Sequence, residues 1–209
     1  MSGTRNALFA VPLALGLLCA VAVPAAAAAP PAARPGASLT CRGRGVDPDA
    51  LVRHRAETVV HAPLSTVWQL QTDVERWPDW QAPVRTAERL DAGPLHAGSA
   101  FRWTIPVPAT PSTPATVLEI TSTVQQLRRD SCIRWTGPAT GAGLRIDGVH
   151  VWTFTPVGGG VRVTTEETHR GPQVDADVTT ATALLRQGLD GWLHDLKAAA
   201  EARAHSRPR

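Results

Sequence analysis

The chain has 209 residues, of which 43% are hydrophobic and 19% are charged, so it holds enough apolar side chains to build the core of one globular domain. Its 21 Lys and Arg residues are nearly balanced by 18 Asp and Glu residues, which leaves a formal net charge of +3. The basic residues are spread among acidic ones and form no dense stripe, and this distribution argues against nucleic acid as a partner.

Residues 1–29 have the composition of an export signal. Arg5 is the only charged residue among them, and it precedes an apolar run that ends in alanine-rich sequence with A-x-A cleavage choices. The sequence therefore predicts a secreted or extracytoplasmic protein that keeps no membrane span after cleavage. A retained membrane anchor is the less favoured alternative because Pro12 and Pro24 interrupt the run. A lipoprotein signal at Cys19 is disfavoured because a large residue precedes that cysteine.

Residues 30–53 have the composition of a linker, in which Pro, Ala and Gly bury too little surface to become ordered, so order is expected to begin near Arg53. Cys41 lies within this linker, and Cys132 lies well inside the domain. In an oxidising compartment the two form a disulfide that closes a loop of about 90 residues, and two unpaired thiols are the alternative. Residues 205–209 are predicted to form a short basic tail.

The domain is predicted to begin with a strand and two short helical segments. The strand covers residues 54–62, and the fixed φ of the proline that follows suits the first turn of a helix over residues 63–72. A second short turn is expected over residues 74–77, and Pro78 is expected to end it.

Six further stretches alternate apolar and polar residues with the period of two that is typical of strands. They cover residues 85–90, 99–107, 116–127, 131–137, 147–156 and 161–170. A glycine-rich loop is predicted over residues 137–143, and a hairpin turn over residues 158–160. Because consecutive hairpins need no parallel crossover, we expect an antiparallel sheet.

The last long stretch, Asp175–Ala204, is predicted to form one helix. Its apolar residues recur at spacings of four and three along one face, and they are Leu185, Leu189, Trp192, Leu196 and Ala199. Such a helix is about 45 Å long and needs a broad sheet to cover its apolar side. Gly188 and Gly191 each cost about 1 kcal/mol relative to Ala in a helix interior. We interpret them as leaving space for a ligand between the helix and the sheet.

Several stretches of the sequence resemble those of one protein superfamily. They are residues 59–80 (VVHAPLSTVWQLQTDVERWPDW), the strand start at Gly98, the pair His150 and Trp152 in GVHVWTFTPVGGGVRVTTEET, and the C-terminal LLRQGLDGWLHDLKAAAE. Over residues 54–204 the chain is similar to the START-like superfamily, in particular its SRPBCC group of polyketide cyclases and dehydrases. The resemblance implies an α+β helix-grip fold, in which a curved antiparallel sheet of about seven strands wraps around the C-terminal helix and encloses a hydrophobic cavity. It implies no reaction, because members bind lipids, sterols or polyketides and only some are enzymes.

The residues expected to line this cavity lie on the inward faces of the strands and on the final helix. Alternation places His150 and Glu167 inward on adjacent strands, beside apolar residues. Such a pair either fixes the polar end of a ligand or acts as acid and base on an enolisable one, and a hydrogen bond that serves only the fold is the alternative. The other predicted ligand-binding residues are Trp103, Trp135, Trp152, Gly188, Gly191 and Trp192, with core packing as the alternative for each tryptophan.

Two functions from different classes are compatible with this sequence. The first is an exported protein that binds a hydrophobic small molecule or lipid without changing it, and the second is a polyketide cyclase- or dehydrase-like enzyme that uses His150 and Glu167. Export favours binding, because polyketide assembly takes place inside the cell. A cavity filled by the chain's own tryptophans is a third hypothesis. The sequence has no H-E-x-x-H, C-x-x-C or P-loop motif, so we predict no metal and no cofactor, and it leaves the oligomeric state open.

Overall fold

The computed structural model of the protein describes residues 38–111 and 113–206. In chain order these residues form β1 (Val52–Val60), α1 (Leu64–Thr72), a 3-10 helix (Val74–Asp79), β2 (Thr86–Arg89), β3 (Ala100–Val107), β4 (Thr116–Arg128), β5 (Cys132–Gly141), β6 (Leu144–Val157), β7 (Gly160–Arg170), α2 (Pro172–Ala176) and α3 (Val178–His205). The predicted signal over residues 1–29, the first part of the predicted linker and residues 207–209 of the tail lie outside the described residues.

The seven strands form one antiparallel sheet with the order β1-β7-β6-β5-β4-β3-β2. Strands β2 to β6 each pair with the next strand along the chain, as expected for consecutive hairpins. Strand β1 pairs with β7 at the other end of the chain, because α1 and the 3-10 helix separate it from β2. The sheet curves around α3, and the predicted helix-grip architecture is confirmed.

The inward faces of the strands and one face of α3 form the core. On β6, His150, Trp152 and Phe154 are all buried, and on α3 the buried ridge is Leu185, Leu189, Trp192, Leu193, Leu196 and Ala200. These positions follow the periods of two and 3.6 that strand and helix geometry impose. The apolar pattern therefore predicted the buried faces of β6 and α3.

The segment before β1 is ordered, which corrects the linker prediction over residues 38–51. Cys41 is fully buried and forms a disulfide with Cys132 across 5.4 Å between their Cα atoms. Val46 and Val151 pack with this disulfide on the outer face of the sheet. The segment's own composition supports little burial, but the cross-link and the outward apolar residues of β5 and β6 supply the missing contacts.

The buried carboxylate of Glu166 on β7 accepts a hydrogen bond from the same segment and also pairs with Arg53 on β1. The backbone N–H of Leu39 donates to Oε2 of Glu166 at 2.5 Å, and Arg53 pairs with Oε1 of that carboxylate. Glu166 is 2% exposed, so these partners satisfy a charge that would otherwise be buried at a high cost. Strand β1 begins at Val52, slightly earlier than the predicted strand.

The predicted glycine loop over residues 137–143 is also corrected. Strand β5 continues to Gly141 and β6 begins at Leu144, so only a short turn remains between them. A Cβ atom on Gly137 would lie 2.4 Å from the carbonyl oxygen of Thr121. That glycine is therefore required by the close approach of the β4 backbone and does not mark a loop.

The single helix predicted over Asp175–Ala204 is divided into α2 and α3. Asp177 separates them, and its side chain accepts a hydrogen bond from the backbone N–H of Thr180 at 3.0 Å. A side chain that caps in this way begins a new helix, which explains why α3 starts at Val178.

The 3-10 helix contains Pro78 and ends one residue later, so this proline does not end it as predicted. Within the described residues, no helix is both long and apolar enough to cross a membrane.

Candidate ligand-binding cavity

A cavity of about 230 Å³ lies between the inner face of the sheet and α3. Most of its wall is apolar, and it includes Ile105, Leu118, Ile120, Ala139, Ile146, Leu185 and Leu189. Several of these residues belong to one core cluster, which also contains Val52 and Val174. The cavity is therefore continuous with the hydrophobic core, and ligand pockets in proteins have this kind of apolar wall.

A group of tryptophans fills the adjoining part of the interior. The ring of Trp77 is fully buried and lies 5.3 Å from Phe101, 5.6 Å from Trp103 and 4.9 Å from Trp192, each in an edge-to-face arrangement. Its indole N–H donates to the backbone oxygen of Gln71 at 3.3 Å. Edge-to-face contacts are an arrangement that aromatic rings prefer. The tryptophans thus occupy part of the space between sheet and helix, and the cavity remains beside them.

Six of the eight predicted ligand-binding residues line the cavity: Trp103, Trp135, His150, Glu167, Gly188 and Trp192. Trp152 points inward as predicted, but it is fully buried between Trp135 and Trp192 and belongs to the core. Gly188 and Gly191 are both exposed, but Gly191 does not line the cavity. Three residues turn a helix by about 300°, so Gly191 is rotated about 60° away from Gly188. The prediction is corrected for these two residues.

Four polar side chains form a row of contacts across β6 and β7. Nε2 of His150 lies 2.6 Å from the hydroxyl of Thr165, and Nδ1 of the same ring lies 3.2 Å from Oε2 of Glu167. The other carboxylate oxygen of Glu167 lies 3.2 Å from Nε2 of His169. His150 and Glu167 are directly opposite each other in the β6–β7 register. The two residues that the sequence predicted to be neighbours are therefore in contact.

Burial sets the protonation of this row. It lowers the pKa of His150 to about 4, although the negative charge of Glu167 acts in the opposite direction. Burial alone would raise the pKa of the Glu167 carboxyl, but the two neighbouring imidazoles outweigh it and lower that pKa. At neutral pH His150 is therefore uncharged and Glu167 is anionic. A carboxylate only accepts, so Nδ1 of His150 carries the proton and Nε2 accepts from the hydroxyl of Thr165.

The order hydroxyl, imidazole, carboxylate is also that of a hydrolase triad, but burial of the hydroxyl excludes this chemistry. Thr165 is 0% exposed and does not line the cavity, so its oxygen has no access to a ligand. Both nitrogens of His150 are already engaged. The row instead presents an oriented carboxylate, that of Glu167, at the cavity wall. Among the described residues, no group of three or more His, Cys, Asp or Glu side chains is placed to hold a metal ion.

Among the wall residues that sequence reasoning missed are Gly148, Gln173 and Asp177. Gly148 shares the inward face of β6 with His150, and a Cβ atom placed there would lie 3.5 Å from Oε1 of Glu167. A glycine within an alternating strand was the available signal, since it marks a bulge or a place that must stay open. The other two residues lie in and after α2, where a single helix had been predicted.

The part of the chain that forms the fold and the cavity also matches a known protein family. The sequence profile described as "Polyketide cyclase / dehydrase and lipid transport" matches residues 52–201, which extend from β1 into α3 and include the cavity. The chain belongs to this family. The resemblance identified from the sequence motifs is therefore confirmed for this member of the polyketide cyclase/dehydrase and lipid transport family.

Solved structures with the same fold are similar to this family member at low sequence identity. The Zhui aromatase/cyclase from Streptomyces sp. R1128 is 16% identical with a TM-score of 0.56, over 74% of this chain and 96% of that chain. The protein TTHA0849 from Thermus thermophilus is 20% identical with a TM-score of 0.56, over 73% and 99%. The hypothetical protein jhp0584 from Helicobacter pylori is 16% identical with a TM-score of 0.58, over 73% and 90%. At these identities the likeness shows the helix-grip fold alone. Among curated proteins, none matches the chain in sequence.

Proposed function

We propose that this protein binds a compact hydrophobic small molecule or lipid in the cavity between the sheet and α3, without changing it chemically. The observation that carries the proposal is the apolar cavity of about 230 Å³ with one oriented carboxylate, Glu167, in its wall. Pockets for drug-sized ligands usually measure about 300–1,000 Å³. The smaller volume here favours a compact ring system or a short chain over a lipid with two long acyl chains.

The protonation of the polar row favours binding over catalysis. General acid–base groups work best when their pKa values lie near the working pH. The pKa of His150 is lowered to about 4 by burial, and both of its nitrogens have partners within the protein. The imidazole is therefore suited to orienting Glu167 and poorly suited to moving a substrate proton.

A cyclase- or dehydrase-like activity is the second candidate function. The observation that favours it is the Glu167 carboxylate, which is anionic and lines the cavity, and so has the charge state of a base. If the protein is such an enzyme, Glu167→Ala and His150→Ala abolish turnover of a polyketide-like substrate while folding and uptake remain. Turnover that is unchanged in both variants, or absent from the native protein, would remove this candidate.

Native mass spectrometry of the purified full chain tests the binding function. We expect a population with added mass, whose released ligand is apolar and chemically unchanged after incubation with the protein. Gly188→Leu serves as the cavity-filled control, because Gly188 lines the cavity and a Cβ placed there meets no atom within 4 Å apart from its chain neighbours and the backbone of α3 itself. A native protein that carries no added mass and binds no aromatic probe would contradict the proposal.

We also propose that the protein acts outside the cytoplasm. The charge and apolar pattern of residues 1–29 supports this, and so does the Cys41–Cys132 disulfide, since disulfides persist mainly in oxidising compartments. Expression of the full chain in a bacterial host with a working secretion pathway tests it. We expect an intact mass that lacks the signal and an extracytoplasmic location. A full-length protein that remains in the cytoplasm would contradict export and leave the binding proposal unaffected.

A further inference from the structure

The charged groups in the cavity wall all have the same sign. Glu167 and Asp177 are the carboxylates that line it, and the lining includes no Lys or Arg among the described residues. His150 and His169 also line the wall and donate to Glu167, and a carboxylate in an apolar wall is screened much less than one in water. The wall therefore attracts a positive or hydrogen-bond-donating group and repels an anion.

Two of the tryptophans in the wall donate their indole N–H groups to other residues of the protein. The indole N–H of Trp103 donates to the hydroxyl of Ser122 at 3.1 Å, and that of Trp192 donates to Oε1 of Gln71 at 3.1 Å. These two rings consequently offer a ligand carbon surface and the negative face of the π-system, which also favours cations over anions.

Acceptor positions, in contrast, remain available in the wall. A carboxylate has about four acceptor positions, and the described residues donate to Glu167 only from His150 and His169. The Glu167 carboxylate therefore keeps acceptor positions for a donor on a ligand.

The backbone keeps the approach to the Glu167 carboxylate open. Gly148 faces inward beside Glu167, and any side chain there would begin 3.5 Å from Oε1. The backbone does not need a glycine at this position for a positive φ. The missing side chain thus leaves room for a ligand head group next to the carboxylate.

We infer that the ligand carries a hydrogen-bond donor, an amine or a hydroxyl, which contacts Glu167, and that the cavity discriminates against free carboxylic acids. This inference rests on the proposed binding function and narrows its ligand class. Among hydrophobic molecules it selects amines and alcohols and disfavours fatty acids, whose head groups are anionic at neutral pH.

Four ligands of similar size and different head group test the inference. They are naphthalene, 2-naphthalenemethanol, 2-naphthylmethylamine and 2-naphthoate, and their affinities for the full chain are measured by isothermal titration calorimetry near neutral pH. We expect the alcohol and the amine to bind at least about tenfold more tightly than naphthoate, which corresponds to about 1.4 kcal/mol. Comparison of the affinities of the alcohol and the amine shows whether the cavity binds a neutral donor equally well or prefers a positively charged one.

Two variants assign the discrimination to Glu167. Glu167→Gln removes the charge and keeps a side chain of nearly the same shape, so naphthoate should bind to it about as tightly as the alcohol. Glu119→Gln makes the same change at an exposed position of β4 and should keep the native discrimination. Gly148→Ala is expected to weaken alcohol and amine binding more than naphthalene binding, because its methyl group would occupy the space beside the carboxylate.

The outcomes separate this inference from the proposed function. Naphthoate that binds the native protein as tightly as the alcohol would overturn the inference and leave the binding function standing. Discrimination that persists in Glu167→Gln would overturn the assignment to Glu167. Failure of all four ligands to bind would overturn the proposed function, and the inference with it.

Discussion

Nδ1 of His150 and Oε2 of Glu167 face each other at 3.2 Å across the β6–β7 pair, and both groups adjoin an apolar cavity. The hydroxyl of Thr165 engages the second nitrogen of the ring, so the imidazole is held from both sides. The contact orients a carboxylate toward the cavity without leaving a free imidazole nitrogen. The contact makes the stability of the protein depend on pH. It also determines which ligand head groups the cavity favours.

We predict that the protein loses stability as the pH falls below about 6.5, and that His150 causes part of the loss. Its pKa is lowered from 6.5 to about 4 by burial, so between these values the unfolded state binds a proton that the folded state does not. At about 1.36 kcal/mol per pKa unit, the loss approaches about 3 kcal/mol near pH 4. The lowered pKa of Glu167 adds a further loss below its ordinary value of 4.5.

Urea unfolding at a series of pH values measures this effect. His150→Gln should have a flatter dependence of the free energy of unfolding on pH than the native protein. His194→Gln, at an exposed position of α3, is the control and should retain the native dependence. The same slope in the native protein and in His150→Gln would contradict the prediction.

We predict that Gly188→Leu weakens ligand binding, whereas Gly191→Leu does not. Apart from the chain neighbours and the backbone of α3 itself, no atom lies within 4 Å of a Cβ at either position, so a Cβ at either position causes no clash. Only Gly188 lines the cavity, and a leucine there would occupy the ligand's space. Both variants replace a helix-interior glycine and should gain up to about 1 kcal/mol in helix propensity.

Thermal unfolding and titration with 2-naphthalenemethanol separate the two properties. We expect the affinity of Gly188→Leu to fall at least about tenfold and that of Gly191→Leu to stay within about twofold of the native value. Unfolding of Gly188→Leu without a change in the affinity of its folded fraction would show that the glycine serves helix packing.

We predict that reduction of the Cys41–Cys132 disulfide destabilises the protein and releases the segment before β1. The bridge joins residues separated by 91 positions, and the chain-entropy relation assigns such a loop about 4–5 kcal/mol. Urea unfolding with and without reductant measures the difference. Cys41→Ala/Cys132→Ala should have the stability of the reduced native protein and no response to reductant. Equal stability of the oxidised and reduced native forms would contradict the prediction.

We predict that Trp77→Ala destabilises the fold more than Trp103→Ala does. Trp77 is fully buried among four other aromatic rings, whereas Trp103 is only partly buried and lines the cavity. Truncation of a buried tryptophan costs about 3–5 kcal/mol. Denaturant unfolding should therefore rank Trp77→Ala as the less stable variant, and titration should show weaker binding by Trp103→Ala. The reverse order of stability would contradict this division of roles.

The strands and the inward position of most cavity residues were predictable because they depend on local geometry. Alternation placed His150 and Glu167 on the same side of adjacent strands, and the structure confirms their contact. Helical spacing correctly identified the ridge of Leu185, Leu189 and Trp192 on α3. Element boundaries were less accurate: β5 continues through the stretch predicted as a glycine loop, because Gly137 is needed for the close approach of β4.

By itself, the sequence determined the number of strands, their antiparallel pairing, the inward faces and the family, because side-chain periodicity and hairpin turns act over a few residues. The tertiary structure alone decided which inward residues meet empty space and which are covered. Trp152 is covered by other indoles, and Gly148 leaves the Glu167 carboxylate open. It also decided that the segment around Cys41 is ordered, since its partners lie about a hundred residues away in sequence, where no local pattern indicates them.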